Sequence, residues 1–351
     1  MNKVNERYHN LNSLFRILRS EGSITQVDLK DRLSLQASTV SYLVNDFRAL
    51  DLVQNSSNYD SPKRVGKPGQ PIELANDQAL FLGLYMEETF VDFHVIGIAD
   101  EEIHSERVPI DCGPEELADL IIALIGERLL RYSSLKGVGI AVKSIVDLNQ
   151  NLSSFKRLDG KVQPNQIWMV VGFAEKLRKA FPGLILVVEN DANCAAVYCQ
   201  SLTKYRYSTS MAFVINVNPF GIGCGIVIHG QLFRGANGAS GEFYFPDRSI
   251  QEMVAGRRSG FSEEQLLPIL KDSITKGIYL IDPEIVFLTG SVFSSLGEAS
   301  MNRIRSELAG IPYKVEILFE PQYSLPARGA VLITSERYVS GLFSERNKRK
   351  P

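Results

Sequence analysis

The chain has 351 residues, 44% hydrophobic and 22% charged, with a formal net charge of −2. Such proportions describe an ordinary globular protein of two or three compact units. No run approaches the ~18 uninterrupted apolar residues of a membrane span, and the polar N-terminus is unlike a secretory signal, so a cytoplasmic protein without a membrane partner is expected. Charge is uneven. Residues 1–70 hold 10 Lys and Arg against 7 Asp and Glu, and the remainder holds 28 against 33. The imbalance permits a nucleic-acid contact at the front and argues against one spread over the body. The four cysteines (Cys112, Cys194, Cys199, Cys224) form no C-x-x-C pair and read as reduced, mostly buried thiols rather than a disulfide or zinc framework.

Leu11, Leu14, Phe15 and Leu18 recur at helical spacing, and Gly22 stops that first helix. Thr25 stands where an N-cap belongs, before a short second helix over 27–33. A third is predicted from about Gln36 to Leu50, with Val40, Leu43, Val44, Phe47 and Leu50 on its buried face. The other face presents Gln36, Ser38, Thr39, Ser41, Tyr42 and Asn45. Amide and hydroxyl groups of this kind read base edges in a major groove. A plain three-helix bundle with a solvated face explains the helices alone, but not the pair of strands after them. Leu52-Val53-Gln54 reads as a strand and Pro71-Ile72-Glu73-Leu74 as its return. Between them Ser56–Gln70, with Lys63, Arg64 and Lys67, is either a mobile wing tip reaching a minor groove or a solvated loop touching phosphates. Over residues 10–75 the sequence resembles winged helix-turn-helix regulators, Ser38-Thr39-Val40-Ser41 matching the usual start of their recognition helix.

From Gln78 the pattern changes to short apolar runs. Residues 81–86, 90–98 and 103–108 predict an antiparallel meander, followed by a helix from Pro114 to about Tyr132 and a buried strand over 137–142. A second series opens near Met211 with strands over 211–217, 224–229 and 232–233. Helices around 263–276 and 293–308 and a strand over 285–288 follow. Two lobes that each open on a meander and continue in α/β alternation predict a duplicated ribonuclease-H-like fold with a cleft between them. The four histidines (His9, His94, His104, His229) have no metal or relay spacing and read as structural, and Ser344–Pro351 reads as a solvated tail.

Four segments carry a more specific likeness: Gly137-Val138-Gly139-Ile140-Ala141-Val142, Glu189-Asn190-Asp191-Ala192-Asn193, Gly221-Ile222-Gly223-Cys224-Gly225, and Leu232–Glu242 with Gly235-Ala236-Asn237-Gly238-Ala239-Ser240-Gly241-Glu242. Over most of residues 78–335 the body resembles the ROK family of transcriptional repressors and sugar kinases, which share an actin-like scaffold. The implied organisation is a winged helix-turn-helix over 1–75 and a two-lobed, α/β ROK domain over 76–351. A fused front module is typical of the repressor branch, which includes the xylose and N-acetylglucosamine repressors.

By that resemblance Asn190 and Asp191 hydrogen-bond sugar hydroxyls, Asp191 standing at the kinases' general base, while Glu242 accepts from another hydroxyl and Asn237 lines the same wall. Amides and carboxylates suit adjacent hydroxyls because they donate or accept in pairs. Asp191 has a plainer reading as N-cap of a helix beginning at Ala192. The family's phosphate loop resembles Asp-x-Gly-Gly-Thr, whereas this chain has Tyr85-Met86-Glu87-Glu88-Thr89. Two carboxylates beside a polyphosphate add repulsion on the order of several kcal/mol where water is excluded. The second loop reads Pro219-Phe220-Gly221 in place of Gly-Thr-Gly, and the adenosine-side Gly-Gly is Thr289-Gly290. After Glu242 no histidine follows within three residues and no cysteine occurs to Phe261, so the family's zinc site has lost its ligands; Phe243, Tyr244 and Phe245 are expected to pack that region instead. A non-enzymatic, cofactor-free regulator is therefore expected, an operator-binding homodimer or homotetramer whose cleft senses a small carbohydrate. A sugar kinase, or a regulator controlled by a protein partner without a sugar, remains the alternative.

Overall fold

The computed structural model describes residues 3–56, 69–75, 79–87, 89–113, 116–147, 152–153, 172–217, 220–243, 263–308, 310, 314–322 and 324–348. Three helices come first: α1 (Lys3–Glu21), α2 (Gln26–Leu33) and α3 (Ala37–Arg48). Gly22 leaves α1 at φ 72°, and the Thr25 side chain accepts from the Asp28 amide to start α2, as the sequence predicts. Strands β1 (Val53–Asn55) and β2 (Ile72–Leu74) pair antiparallel with Val53 opposite Leu74. The wing therefore has its predicted stem, while its tip, with Lys63, Arg64 and Lys67, lies outside the described residues.

The first lobe contains β3 (Leu80–Met86), β4 (Phe90–Gly97), β5 (Glu102–Pro109), α4 (Leu117–Arg131), β6 (Leu135–Val142), the short ribbon β7 (Ile145–Val146) and β8 (Leu152–Ser153), α5 (Phe173–Ala180) and β9 (Ile185–Asn190). Its sheet runs β5-β4-β3-β6-β9, antiparallel across the meander and parallel from β3 through β6 to β9. After α6 (Asp191–Leu202), the second lobe repeats the plan with β10 (Ser210–Val217), β11 (Phe220–Ile228), β12 (Gln231–Leu232), α7 (Glu263–Ile281), β13 (Ile285–Thr289), α8 (Ser291–Ser295), α9 (Glu298–Leu308) and β14 (Glu316–Phe319). Its order, β12-β11-β10-β13-β14, has the same antiparallel meander and the same parallel run. The duplicated α/β fold is thus present. The single helix predicted over 293–308 is two, broken at Leu296 and Gly297, where Leu296 turns extended.

Each sheet has one outer and one inner helical layer. Outside, α4 and α5 cover the first sheet through Leu117, Ile121, Ile125 and Leu177; α7 and α9 cover the second through Leu270, Ile274, Ile304 and Leu308. Inside lie α6 and a last helix, α10 (Leu325–Lys348). Strand β6 shows how the sequence encodes this. Val138, Ile140 and Val142 face the outer core, while Gly139 on the other face lies so near α10 that a Cβ would sit 2.4 Å from the Ala330 carbonyl. The inner helices cross backbone to backbone as well. A Cβ on Gly329 of α10 would fall 1.8 Å from the Cys194 carbonyl of α6.

The C-terminus corrects the sequence reading. Far from a solvated tail, residues 344–348 continue α10, and the Arg346 guanidinium reaches Asp46 of α3 at 3.1 Å. Only 349–351 lie outside the described residues. Asp46 is 4% exposed and also holds Arg7 at 2.7 Å. Phe47 packs on Phe343 with ring centroids 5.0 Å apart, and Leu11, Phe15 and Phe47 share one apolar cluster with Phe81, Val331 and Val339. Ion pairs Arg16–Glu336 (2.5 Å) and Arg19–Asp100 (2.9 Å) reinforce the contact. The front helices are seated on the body through a shared core. No helix among the described residues is long and apolar enough to cross a membrane.

Candidate functional site

The parallel strand β9 ends on Glu189 and Asn190, and α6 begins at the next residue. The carboxyl ends of parallel strands are where open α/β sheets place ligands. Asn190, not Asp191, is the N-cap: its side-chain oxygen accepts from the Asn193 amide at 3.0 Å. Its Nδ2 donates to the Ser144 carbonyl at 3.2 Å and to Glu242 Oε1 at 3.4 Å. Glu242 belongs to the other lobe, held by an isolated bridge to Gly223. The structure therefore brings Asn190, Asp191 and Glu242 together across the cleft. Asn237 is exposed on the glycine-rich turn before Glu242.

Asp191 occupies the first position of α6, where the helix dipole favours a negative charge. Its Oδ1 accepts from the Ala192 amide at 2.9 Å, and the Tyr85 hydroxyl lies 3.5 Å from Oδ2. Burial nonetheless pushes its pKa up to about 6, with Lys143 lowering it and Glu87 raising it. Glu242 is pushed up to about 7, first by burial and then by the Asp191 charge. Among the described residues neither carboxylate forms a salt bridge, whereas its acidic neighbours do. Glu189 pairs with Arg234 at 2.7 Å and accepts from Asn193 Nδ2 at 3.0 Å. Glu87 pairs closely with Lys143, both side chains largely buried. Two buried carboxylates not tied up in salt bridges are acceptors suited to ligand hydroxyls.

Sequence reasoning missed Lys143 and Arg234. Lys143 follows directly on the apolar strand β6, and a cation at the carboxyl end of a buried parallel strand was the available signal. Lys143 supplies the cation that pairs with Glu87. Glu88, Pro219, Tyr244 and Phe245 lie outside the described residues. Phe243 packs on Phe213 with centroids 5.2 Å apart, as an aromatic filling would. Tyr85, Asn216, Thr289 and Gly290 line a small pocket together with Gln322 and Pro326.

On α3, Gln36, Ser38, Tyr42 and Asn45 are exposed, and Thr39 and Ser41 are half-buried beside them. Gln36 is the N-cap residue but makes no side-chain capping bond, so its amide is not used by the helix start. The Arg7 guanidinium sits 5.4 Å from the Tyr42 ring centroid. Ser38, Ser41, Tyr42 and Asn45 thus share one polar face of α3, with Gln36 at its N-cap and Thr39 at its edge.

Comparison with known proteins agrees with this geometry. The model of the ROK family matches residues 82–244. A xylose repressor of Staphylococcus xylosus is 24% identical over 228 residues, covering 64% of this chain and 56% of that protein. The chain spans under three fifths of the length of such repressors. A glucokinase of Streptomyces coelicolor is 30% identical over 153 residues, 42% of this chain and 44% of the enzyme. Among solved structures, a ROK family transcriptional regulator described as a homologue of the E. coli MLC protein superposes with TM-score 0.69 at 14% identity, covering 96% of this chain and 99% of that one. The ROK family match over residues 82–244 thus falls within the two repeated lobes, behind a helix-turn-helix, and the fold is the one seen in the solved ROK family regulator.

Proposed function

We propose that this chain is a sugar-responsive transcriptional regulator, a repressor by its kinship, whose ROK domain binds a carbohydrate without phosphorylating it. Residues 1–75 read DNA and residues 76–351 sense the ligand. The observation that carries the sensing half is the cross-cleft cluster of Asn190, Asp191 and Glu242, which offers hydroxyl acceptors from both lobes at once. A sugar bridging them favours one lobe arrangement over another, and only such a difference in affinity regulates. Loss of catalysis is supported by Tyr85 and the Glu87–Lys143 pair standing where a kinase keeps glycines and an aspartate. The polar face of α3 supports the DNA half. Two heads reading half-sites about one helical turn apart, or a multiple of it, require a dimer or tetramer.

Calorimetry tests both halves of the cleft reading on one preparation. A panel including D-xylose, D-glucose and N-acetyl-D-glucosamine should give one saturable heat that Glu242→Ala abolishes, while ATP with Mg²⁺ gives none. Micromolar ATP binding with product formation would restore the kinase reading. Sugar-independent binding to the duplexes the protein selects from a random pool would favour control by a protein partner.

A further inference from the structure

Helix α6 has one end in the cleft and the other against the DNA-reading head. Its N-terminus is the site itself, Asn190 tied to Ser144 in one lobe and Glu242 in the other. Its C-terminus runs into Lys204 and Tyr205, two successive non-glycine residues in the left-handed region at φ 54° and 55°. The head grips this turn from two helices. Arg32 of α2 donates to the Lys204 carbonyl at 2.5 Å, and Lys204 Nζ pairs with Glu21 at the end of α1 at 2.8 Å. Arg16 of α1 stacks 5.8 Å from the Tyr205 ring centroid. A second grip lies midway. The Tyr198 hydroxyl reaches Asp100, which holds the buried Arg19 of α1, while Arg328 of α10 donates to that hydroxyl.

We propose that α6 is the lever through which occupancy of the cleft reaches the head, with the Lys204–Tyr205 turn as its output contact. This rests on the cleft being the effector site. The helix is about 18 Å long and internally stiff, so its two ends move together. Its backbone-to-backbone crossing with α10 at Cys194 and Gly329 provides a fulcrum. The crossing lies four residues from Asn190 and ten from Lys204, so a small tilt at the cleft becomes a larger one at the head. The turn is also poised to move. Two left-handed side-chain residues persist only while their surroundings hold them. The Tyr205 hydroxyl is enclosed and has no hydrogen-bond partner among the described residues, a group that gains by any shift that gives it one. Coupling of this kind is reciprocal, so DNA bound at the head must alter affinity in the cleft by the same factor.

Amide hydrogen exchange of the full chain tests the lever without any ligand. Asn190→Ala releases the cleft end and should raise exchange by about threefold or more in peptides covering 12–33 and 200–206, leaving β13 unchanged. In an Arg32→Ala/Lys204→Ala background the same substitution should leave the head unaffected. An unmoved head, an equal effect in that background, or a rise spread evenly to β13 would each overturn the proposal. Should Asn190→Ala fail to fold, Glu242→Ala frees the same end from the other lobe and is read by the same peptides. The panel of D-xylose, D-glucose and N-acetyl-D-glucosamine, titrated separately, decides the effector reading. If none binds, that reading falls while the exchange result still decides the lever.

Discussion

Two acidic groups give this cleft its pH behaviour. The folded pKa values of Asp191 and Glu242 are raised to about 6 and about 7, so the folded chain binds more protons than the unfolded one between the ordinary carboxylate range and pH 7. Their charged forms therefore cost stability, fully above about pH 7 and not at all below about pH 4. Thermal melts of the ligand-free protein should rise as pH falls from 8 to about 5.5, and Glu242→Gln should flatten that slope. Sugar affinity should run the other way, strengthening toward pH 8, because ionised carboxylates accept hydroxyl hydrogen bonds best; a pH-independent titration would remove both groups from the contact. Asp46 is a different kind of buried acid. Removing it takes a carboxylate from both Arg7 and Arg346, each about a third exposed, so Asp46→Ala should cost about 1–3 kcal/mol by urea unfolding, tempered by the solvent that still reaches the arginines.

Among the elements, those with a strong period were legible from the residues. The three front helices, the β1–β2 stem and both meanders follow from apolar spacing, from Thr25 as a cap and from Gly22 as a stop. Helix α10 was not. It is buried between the first sheet and α6, so its apolar residues show no single stripe, and Arg346 looks solvated until Asp46 is placed beside it. In the site, the motif residues Asn190, Asp191 and Glu242 were found through resemblance. Lys143 and Arg234 were missed because their partners lie 56 and 45 residues away, so that the position of Lys143 at a strand end was the one local sign. The crossing of α6 and α10 makes a sharp prediction. Gly329→Ala forces a Cβ onto the Cys194 carbonyl, and overpacking there should cost about 1–3 kcal/mol or more, with a lower melting temperature as the readout.

At the scale of the whole molecule, the front module shares its core with the body instead of hanging from it. DNA binding should then depend on the body as well as on α3. Ser41→Ala and Tyr42→Ala are expected to relax sequence preference, each losing discrimination of about 1–3 kcal/mol at the position it reads. Neutralising Lys63, Arg64 or Lys67 should weaken binding to all sequences alike and flatten its salt dependence. Fluorescence anisotropy over a salt series separates the two, and unchanged affinity in every variant would refute the docking face. The arginine-bracketed Asp46 has a consequence for how such a protein is built. One carboxylate on the inner side of α3 is clasped by α1 and α10. A front module expressed without α10 would keep the polar side chains of α3, yet lose the brace that fixes their aim.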